Sequence, residues 1–220
     1  MIWQQPEKQS LDRPIIAAAQ LLVEGRTPEM FFRELVNELE LSHRVDVRTF
    51  GSIGRLRPYL ELFTSKPKFK EIATSLGIVR DAEAQPAHSA FQSICSALMK
   101  AALPAPDMMR IFSGPPLRIG VYVLPDCERE GMLETLCLEA AEECEGTTEQ
   151  KVLPCADEFL ICAERAKTEY ENRTKARFAA YALARGVAEA QLGRAAQKRV
   201  IPCHAKAFER LTRFLNELAA

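Results

Sequence analysis

The nine residues from Ile15 to Val23, IIAAAQLLV, constrain this chain more than any other segment. Only Gln20 interrupts the apolar run, and Glu24-Gly25 closes it. The run falls well short of the roughly 20 residues that a membrane-crossing helix needs. An unbroken apolar stretch of this length reads as a strand buried on both faces, and such strands belong to parallel sheets covered by helices on either side. The chain is therefore expected to be an α/β protein.

The segments that follow extend the pattern. Thr27-Pro28-Glu29 marks a helix start, with Thr27 as N-cap and Pro28 in the first helical position, ahead of MFFRELVNELEL with its apolar residues at helical spacing. Val45 to Phe50 alternates apolar and polar residues before Gly51-Ser52 and gives a second strand. Gly54 to Phe63 and Lys68 to Ser75 read as helices parted by Pro67, and Leu76 to Val79 as a short third strand ending at Arg80-Asp81-Ala82-Glu83. Pro86 opens a further helix. Leu103 to Leu117 is a Pro-rich loop with a short extended piece at Met109 to Phe112, and Arg118 to Leu124 forms a fourth strand ended by Pro125-Asp126. Gly131 to Cys144 is helical, and from Ala156 onward the chain is almost wholly so. This alternation predicts a mostly parallel four-stranded sheet flanked by helices. Residues 1–150 form the α/β domain, and residues 151–220 a helical extension packed on the same core, against one edge.

A length of 220 residues, 47% of them hydrophobic, suits one sizeable core with such an appendage. Charges and prolines precede any apolar run, so neither a signal peptide nor a membrane span is expected, and the location implied is cytoplasmic. The seven cysteines are odd in number and form no C-x-x-C, so they read mostly as thiols packed as small hydrophobes. A zinc site at Cys203-His204 lacks a second pair of ligands. The net charge of −1 argues against a protein that coats nucleic acid by electrostatics alone. Charge is unevenly spread, however: Arg173 to Ala220 holds ten Lys/Arg against three Asp/Glu. A basic end beside an acidic body could hold a polyanion, or simply be a set of solvated helix faces.

In an open parallel sheet, ligands gather outside the carboxyl ends of the strands. Three of the four expected strands deliver a carboxylate there: Glu24 after the first, Asp81 and Glu83 after the third, Asp126 after the fourth. Clustered acids repel one another and lose hydration, a cost that a cation relieves. Mg²⁺ (or Mn²⁺) suits such a set, because it takes oxygen ligands, keeps several waters and accepts substrate phosphate oxygens. In an extended strand exit, Asp81 and Glu83 would share a face and approach one ion. Asp126 and Glu134 are candidates for a second metal site, and Lys175 for neutralising charge on a phosphate. No Walker-type glycine loop and no Ser or Cys triad is evident.

Leu21-Leu22-Val23-Glu24-Gly25, then a helix, a strand ending near Gly51 and a later strand ending Asp81-Ala82-Glu83, resembles the TOPRIM domain of topoisomerases, bacterial primases, ribosomal-RNA maturation nucleases and OLD-family nucleases. The likeness extends to a family of small uncharacterised single-TOPRIM proteins, through Pro86, Pro125-Asp126, Gly131-Met132-Leu133-Glu134, and the basic end with Lys175, Tyr181, Leu192-Gly193 and Ala196. It implies a TOPRIM (Rossmann-like) sheet in which Glu24 acts as general acid/base or supports the metal, while Asp81 and Glu83 bind Mg²⁺. Glu83 departs from the family's usual aspartate and reaches one methylene further.

Two functions are expected. One is a Mg²⁺-dependent nuclease or related phosphodiester-transfer enzyme acting on DNA or RNA. The other is a non-catalytic TOPRIM-like subunit that binds a protein partner or nucleic acid, as within an antiviral defence complex. No membrane partner is expected.

Overall fold

A computed structural model describes residues 6–220; the stretch read for a leader lies partly outside them. The core is a four-stranded, all-parallel sheet of β1 (Ala19–Val23), β2 (Val45–Thr49), β3 (Ser75–Asp81) and β4 (Arg118–Leu124), in the order β2-β1-β3-β4. The architecture is α/β and Rossmann-like, as the apolar run in β1 requires. All five residues of β1 are buried. Ile15 to Ala18 precede the strand, and the Ala18 carbonyl accepts the Thr74 N–H at 2.9 Å.

Alternate side chains of the strands point to two layers of helices. Leu21, Val23, Val47, Val79 and Tyr122 pack on α2 (Arg26–Glu38), α6 (Leu133–Glu143) and the C-terminal helices α8 (Arg173–Ala184), α9 (Leu192–Gln197) and α10 (Glu209–Ala219). Leu22, Leu76, Ile78, Val121 and Val123 pack on α3 (Ile53–Ser65), α4 (Pro67–Ile72) and α5 (Ala87–Lys100). The C-terminal helices thus cover a face of the sheet rather than one edge. Gly77 allows this: a Cβ there would lie 2.9 Å from Leu218 Cδ2 of α10. The hydroxyl of Ser75 donates to the Leu218 carbonyl at 2.6 Å. Residue 151 falls inside α7 (Thr148–Arg165), which also contains Pro154.

Several local expectations shift. Helix α2 begins at Arg26 with Gly25 as its N-cap, in place of Thr27, because Gly25 at φ 90° makes the turn off β1 two residues earlier. A short helix, α1 (Pro6–Asp12), precedes the sheet. Its anchor is Arg48, a fully buried arginine on β2. Arg48 donates to the carbonyls of Ser10 and Pro14, each at 2.6 Å, and to Gln20 Oε1 at 3.0 Å. It also pairs with Asp46 and lies over the Phe63 ring, 5.1 Å from its centroid. The extended piece expected at Met109 to Phe112 runs along β4, where the Arg110 N–H donates to the Val121 carbonyl and the Ser113 N–H to the Ile119 carbonyl. Of the cysteines, Cys127, Cys137 and Cys203 are buried, whereas Cys155 and Cys162 lie exposed on α7; all seven are free. Among the described residues no helix is long and apolar enough to cross a membrane.

Candidate functional site

The strand order places a topological switch between β1 and β3. From β1 the chain crosses to β2 through α2 on one face, and from β2 it crosses back to β3 through α3 and α4 on the other. The connections therefore diverge at the carboxyl ends of β1 and β3, the place where an open parallel sheet leaves a crevice for ligands. Glu24 follows β1 there, and Arg80 and Asp81 end β3.

Asp81 is partly buried, and its Oδ1 accepts the Leu133 N–H at 2.9 Å, so it caps the start of α6. Its Oδ2 has no hydrogen-bond partner among the described residues. Burial, and then the neighbouring charge of Glu134, push the Asp81 carboxyl up to about 7, against the pull of the Leu133 amide and the Lys175 ammonium. Burial likewise raises Glu134, opposed by its own backbone N–H and by Lys175. Both acids thus feel the Lys175 ammonium, and Asp81 also feels the charge of Glu134. Lys175 lies at the start of α8, whose N-cap Asn172 accepts the Lys175 N–H at 2.9 Å. Asp81, Glu83, Thr135, Asn172 and Lys175 line one cleft of about 600 Å³.

Glu24 is held differently. Its Oε1 accepts the Ile53 N–H at 2.8 Å, at the start of α3, and its Oε2 accepts Arg80 Nε at 2.8 Å. Both oxygens are thus engaged, and the carboxylate fixes Arg80 at the carboxyl end of the inner strands. Its charge still reaches Asp81, as the last of the influences raising that group.

The extended exit expected for Asp81 and Glu83 is not formed. Glu83 has φ 59°, in the left-handed region, and exchanges backbone hydrogen bonds of 2.7 and 2.8 Å with Gly131. Its side chain is exposed and lines the same cleft as Asp81. Asp126 is occupied by a turn: it accepts the Glu128 and Arg129 N–H groups and pairs with Arg129 Nε at 2.7 Å. Those bonds hold its carboxyl below the usual range in spite of partial burial. None of its bonds reaches Asp81 or Glu134.

Four of the ten basic residues of the C-terminal end pair with the acidic body. Arg173 pairs with Glu164, Arg177 with Glu142 and Asp157, Arg185 with Glu149, and Arg210 with Glu128. Lys175 has no ion-pair partner within hydrogen-bonding reach among the described residues, which leaves its charge directed at Asp81 and Glu134.

Among the described residues no three His, Cys, Asp or Glu side chains are grouped to hold a metal ion. That donor set does not fit tetrahedral zinc, which needs three or four protein ligands. A hydrated Mg²⁺ or Mn²⁺ asks for only one or two carboxylates and retains most of its waters, and Asp81 and Glu134 are two acids of which one feels the charge of the other. Two residues that shape the cleft carried readable signals of lesser weight: Asn172 stands immediately before a helix, a common capping pattern, and Thr135 is the third residue of α6.

The family model described as "Protein of unknown function (DUF3226)" matches residues 18–220. No curated protein and no solved structure matches the chain.

Proposed function

We propose that this chain, which belongs to the DUF3226 family, carries out divalent-cation-dependent phosphodiester chemistry on DNA or RNA in the cleft beside Asp81. The observation that carries this reading is the convergence of Asp81, Glu134 and Lys175: two partly buried acids whose burial raises both carboxyls, next to an ammonium with no ion pair of its own. A likeness to the TOPRIM domain in the order of Glu24, Asp81 and Glu83, and to small uncharacterised single-TOPRIM proteins in the Gly131–Glu134 string, supports it.

In this reading Asp81 Oδ2 and Glu134 hold the cation, with Glu83 reaching it through water from the cleft wall. A bound Mg²⁺ supplies Lewis-acid polarisation of a phosphate oxygen and a more acidic water. Lys175 holds a non-bridging phosphate oxygen and offsets charge as it develops. Glu24 serves as a positioning residue: it fixes Arg80, whose guanidinium presents its remaining donors to a neighbouring phosphate. Asp126 stays with Arg129 and takes no part.

Titration calorimetry with Mn²⁺ on the wild type, Asp81→Asn and Glu134→Gln, paired with cleavage assays on single- and double-stranded DNA and RNA, tests the proposal. Expected are Mn²⁺ binding and cleavage by the wild type, and loss of both in each variant. Wild-type protein that neither binds Mn²⁺ nor cleaves any of the four would overturn it.

A second reading has its own observation. Asp81 caps α6 and Glu24 caps α3, so both acids have structural work without any metal. A TOPRIM-like subunit that binds a partner, without catalysis, would keep those caps, and Glu134→Gln would then leave partner binding unchanged.

A further inference from the structure

A second cleft, of about 520 Å³, opens beyond the outer edge of β4, between the start of α5, the start of α10 and the loop Asp107–Ile111. We propose that it is a binding site for a small amphipathic anion: one phosphate or carboxylate group on an apolar or aromatic body. It is independent of the carboxylate cleft.

The argument begins with Arg110. Its guanidinium has no hydrogen bond or ion pair among the described residues, although it lines the cleft and its charge is felt by Tyr122 and Cys127 behind it. The other two arginines of the cleft are already spoken for, Arg210 by Glu128 and Arg213 by Glu209. Arg110 is also held in place at a cost. It sits at φ 68°, a region that L side chains seldom adopt, and its N–H is tied to the Val121 carbonyl at 2.8 Å.

The loop is further clamped by Phe112, which stacks on Phe214 of α10 with ring centroids 5.1 Å apart. Gly120 of β4 makes room for that ring: a Cβ there would lie 2.6 Å from Phe112. A lone cation on a fixed loop is a preorganised anion ligand, because little entropy is lost when it engages.

The walls supply the apolar half. Met108 and Ile111 are among the large hydrophobic side chains left exposed, and Phe91 and Phe214 lie beneath. The volume falls within the few hundred to one thousand Å³ of small-molecule pockets. Asp107 and Glu217 also line the cleft, but both are exposed and solvated, so their charge is screened more than that of the half-buried Arg110.

The test uses two named probes, phenyl phosphate and octanoate, titrated calorimetrically into the full chain, Arg110→Met, Arg110→Lys and Asp107→Asn. Wild type should bind at least one probe at a single site, which also separates a phosphate from a carboxylate ligand. Arg110→Met should weaken that binding by about tenfold or more, as expected for loss of a charged hydrogen bond. Arg110→Lys should retain part of it, and Asp107→Asn should tighten it. Should Arg110 variants fail to fold, weakening of wild-type binding with added salt reads the same contact. The proposal is overturned if neither probe binds the wild type, if Arg110→Met binds as well as wild type, or if Asp107→Asn weakens binding, which would mark a cationic ligand. Asp81→Asn should bind the probes as the wild type does, so failure here and failure of the phosphodiester reading are separate results.

Discussion

Asp81 Oδ1 accepts the Leu133 N–H at 2.9 Å, and this one contact places the acid that ends β3 against the first turn of the helix that carries Glu134. The pairing accounts for the cleft's chemistry: a helix start favours a carboxylate, while burial and a second acid disfavour its charge.

The consequence for stability has a definite sign. The folded protein holds the Asp81 proton up to about 7, whereas the unfolded chain releases it near 3.8. The native state binds more protons between those values, so in metal-free buffer this group's contribution becomes less favourable as pH rises through the window and levels off above it. Asp81→Asn keeps an oxygen for the Leu133 N–H. Its Tm relative to wild type should be highest above pH 7 and fall towards no gain below pH 4. A Tm difference that does not vary with pH would show that Asp81 is not strained by its charge.

A cation that binds Asp81 and Glu134 would reverse that penalty. Mn²⁺ at a hundredfold excess over its Kd should stabilise the wild type by about 2.7 kcal/mol through binding linkage alone. Thermal melts at pH 8 with and without Mn²⁺ should show the rise in wild type and its absence in Glu134→Gln. Equal rises in both proteins would point to a site elsewhere.

Arg48 should be the least replaceable charged residue. Arg48→Ala strands the carbonyls of Ser10 and Pro14 and leaves Asp46 to Arg13 alone, and breaking a buried charged network of this kind costs about 3–5 kcal/mol. Urea unfolding should show a midpoint shift of that size. A shift under about 1 kcal/mol, typical of an exposed pair, would contradict the burial of this side chain.

Gly120→Ala should destabilise by about 1–3 kcal/mol, the usual range for overpacking, because the new methyl meets the Phe112 ring. Phe112→Leu in the same chain should recover part of that loss in a double-mutant cycle. Additive losses would mean that the ring can swing away freely.

The ion pair of Glu24 with Arg80 should contribute about 1 kcal/mol or less, since both side chains keep some exposure. A cycle of Glu24→Gln and Arg80→Gln, followed by urea unfolding, measures it. A coupling of several kcal/mol would make the pair a principal support of the fold instead of a positioning contact.

The fold was largely legible because its strands are set by local pattern. The Arg118–Leu124 strand is found with the expected bounds, and the others differ by a few residues at their ends. Helix α1 is not legible because its anchors lie far along the chain: Arg48 reaches the Ser10 carbonyl from 38 residues away, and Tyr59 meets the Ser10 hydroxyl. The candidate site was legible in part. Proximity to strand ends pointed to Glu24, Asp81 and Asp126 alike, but sequence does not reveal who holds a carboxylate. Ile53 and Arg80 claim Glu24, Arg129 claims Asp126, and the left-handed turn at Glu83 carries that side chain out to the wall. Glu134 and Lys175 reach Asp81 only because α6 and α8 both begin at the same rim of the sheet.

The bond from Ser75 to the Leu218 carbonyl joins positions 143 residues apart. An inner strand of the sheet therefore cannot cover one of its faces until α10 has been synthesised. During translation β3 would stand with Gly77 and its neighbours bare to solvent, an interval in which a nascent chain is open to chaperones and to mispairing.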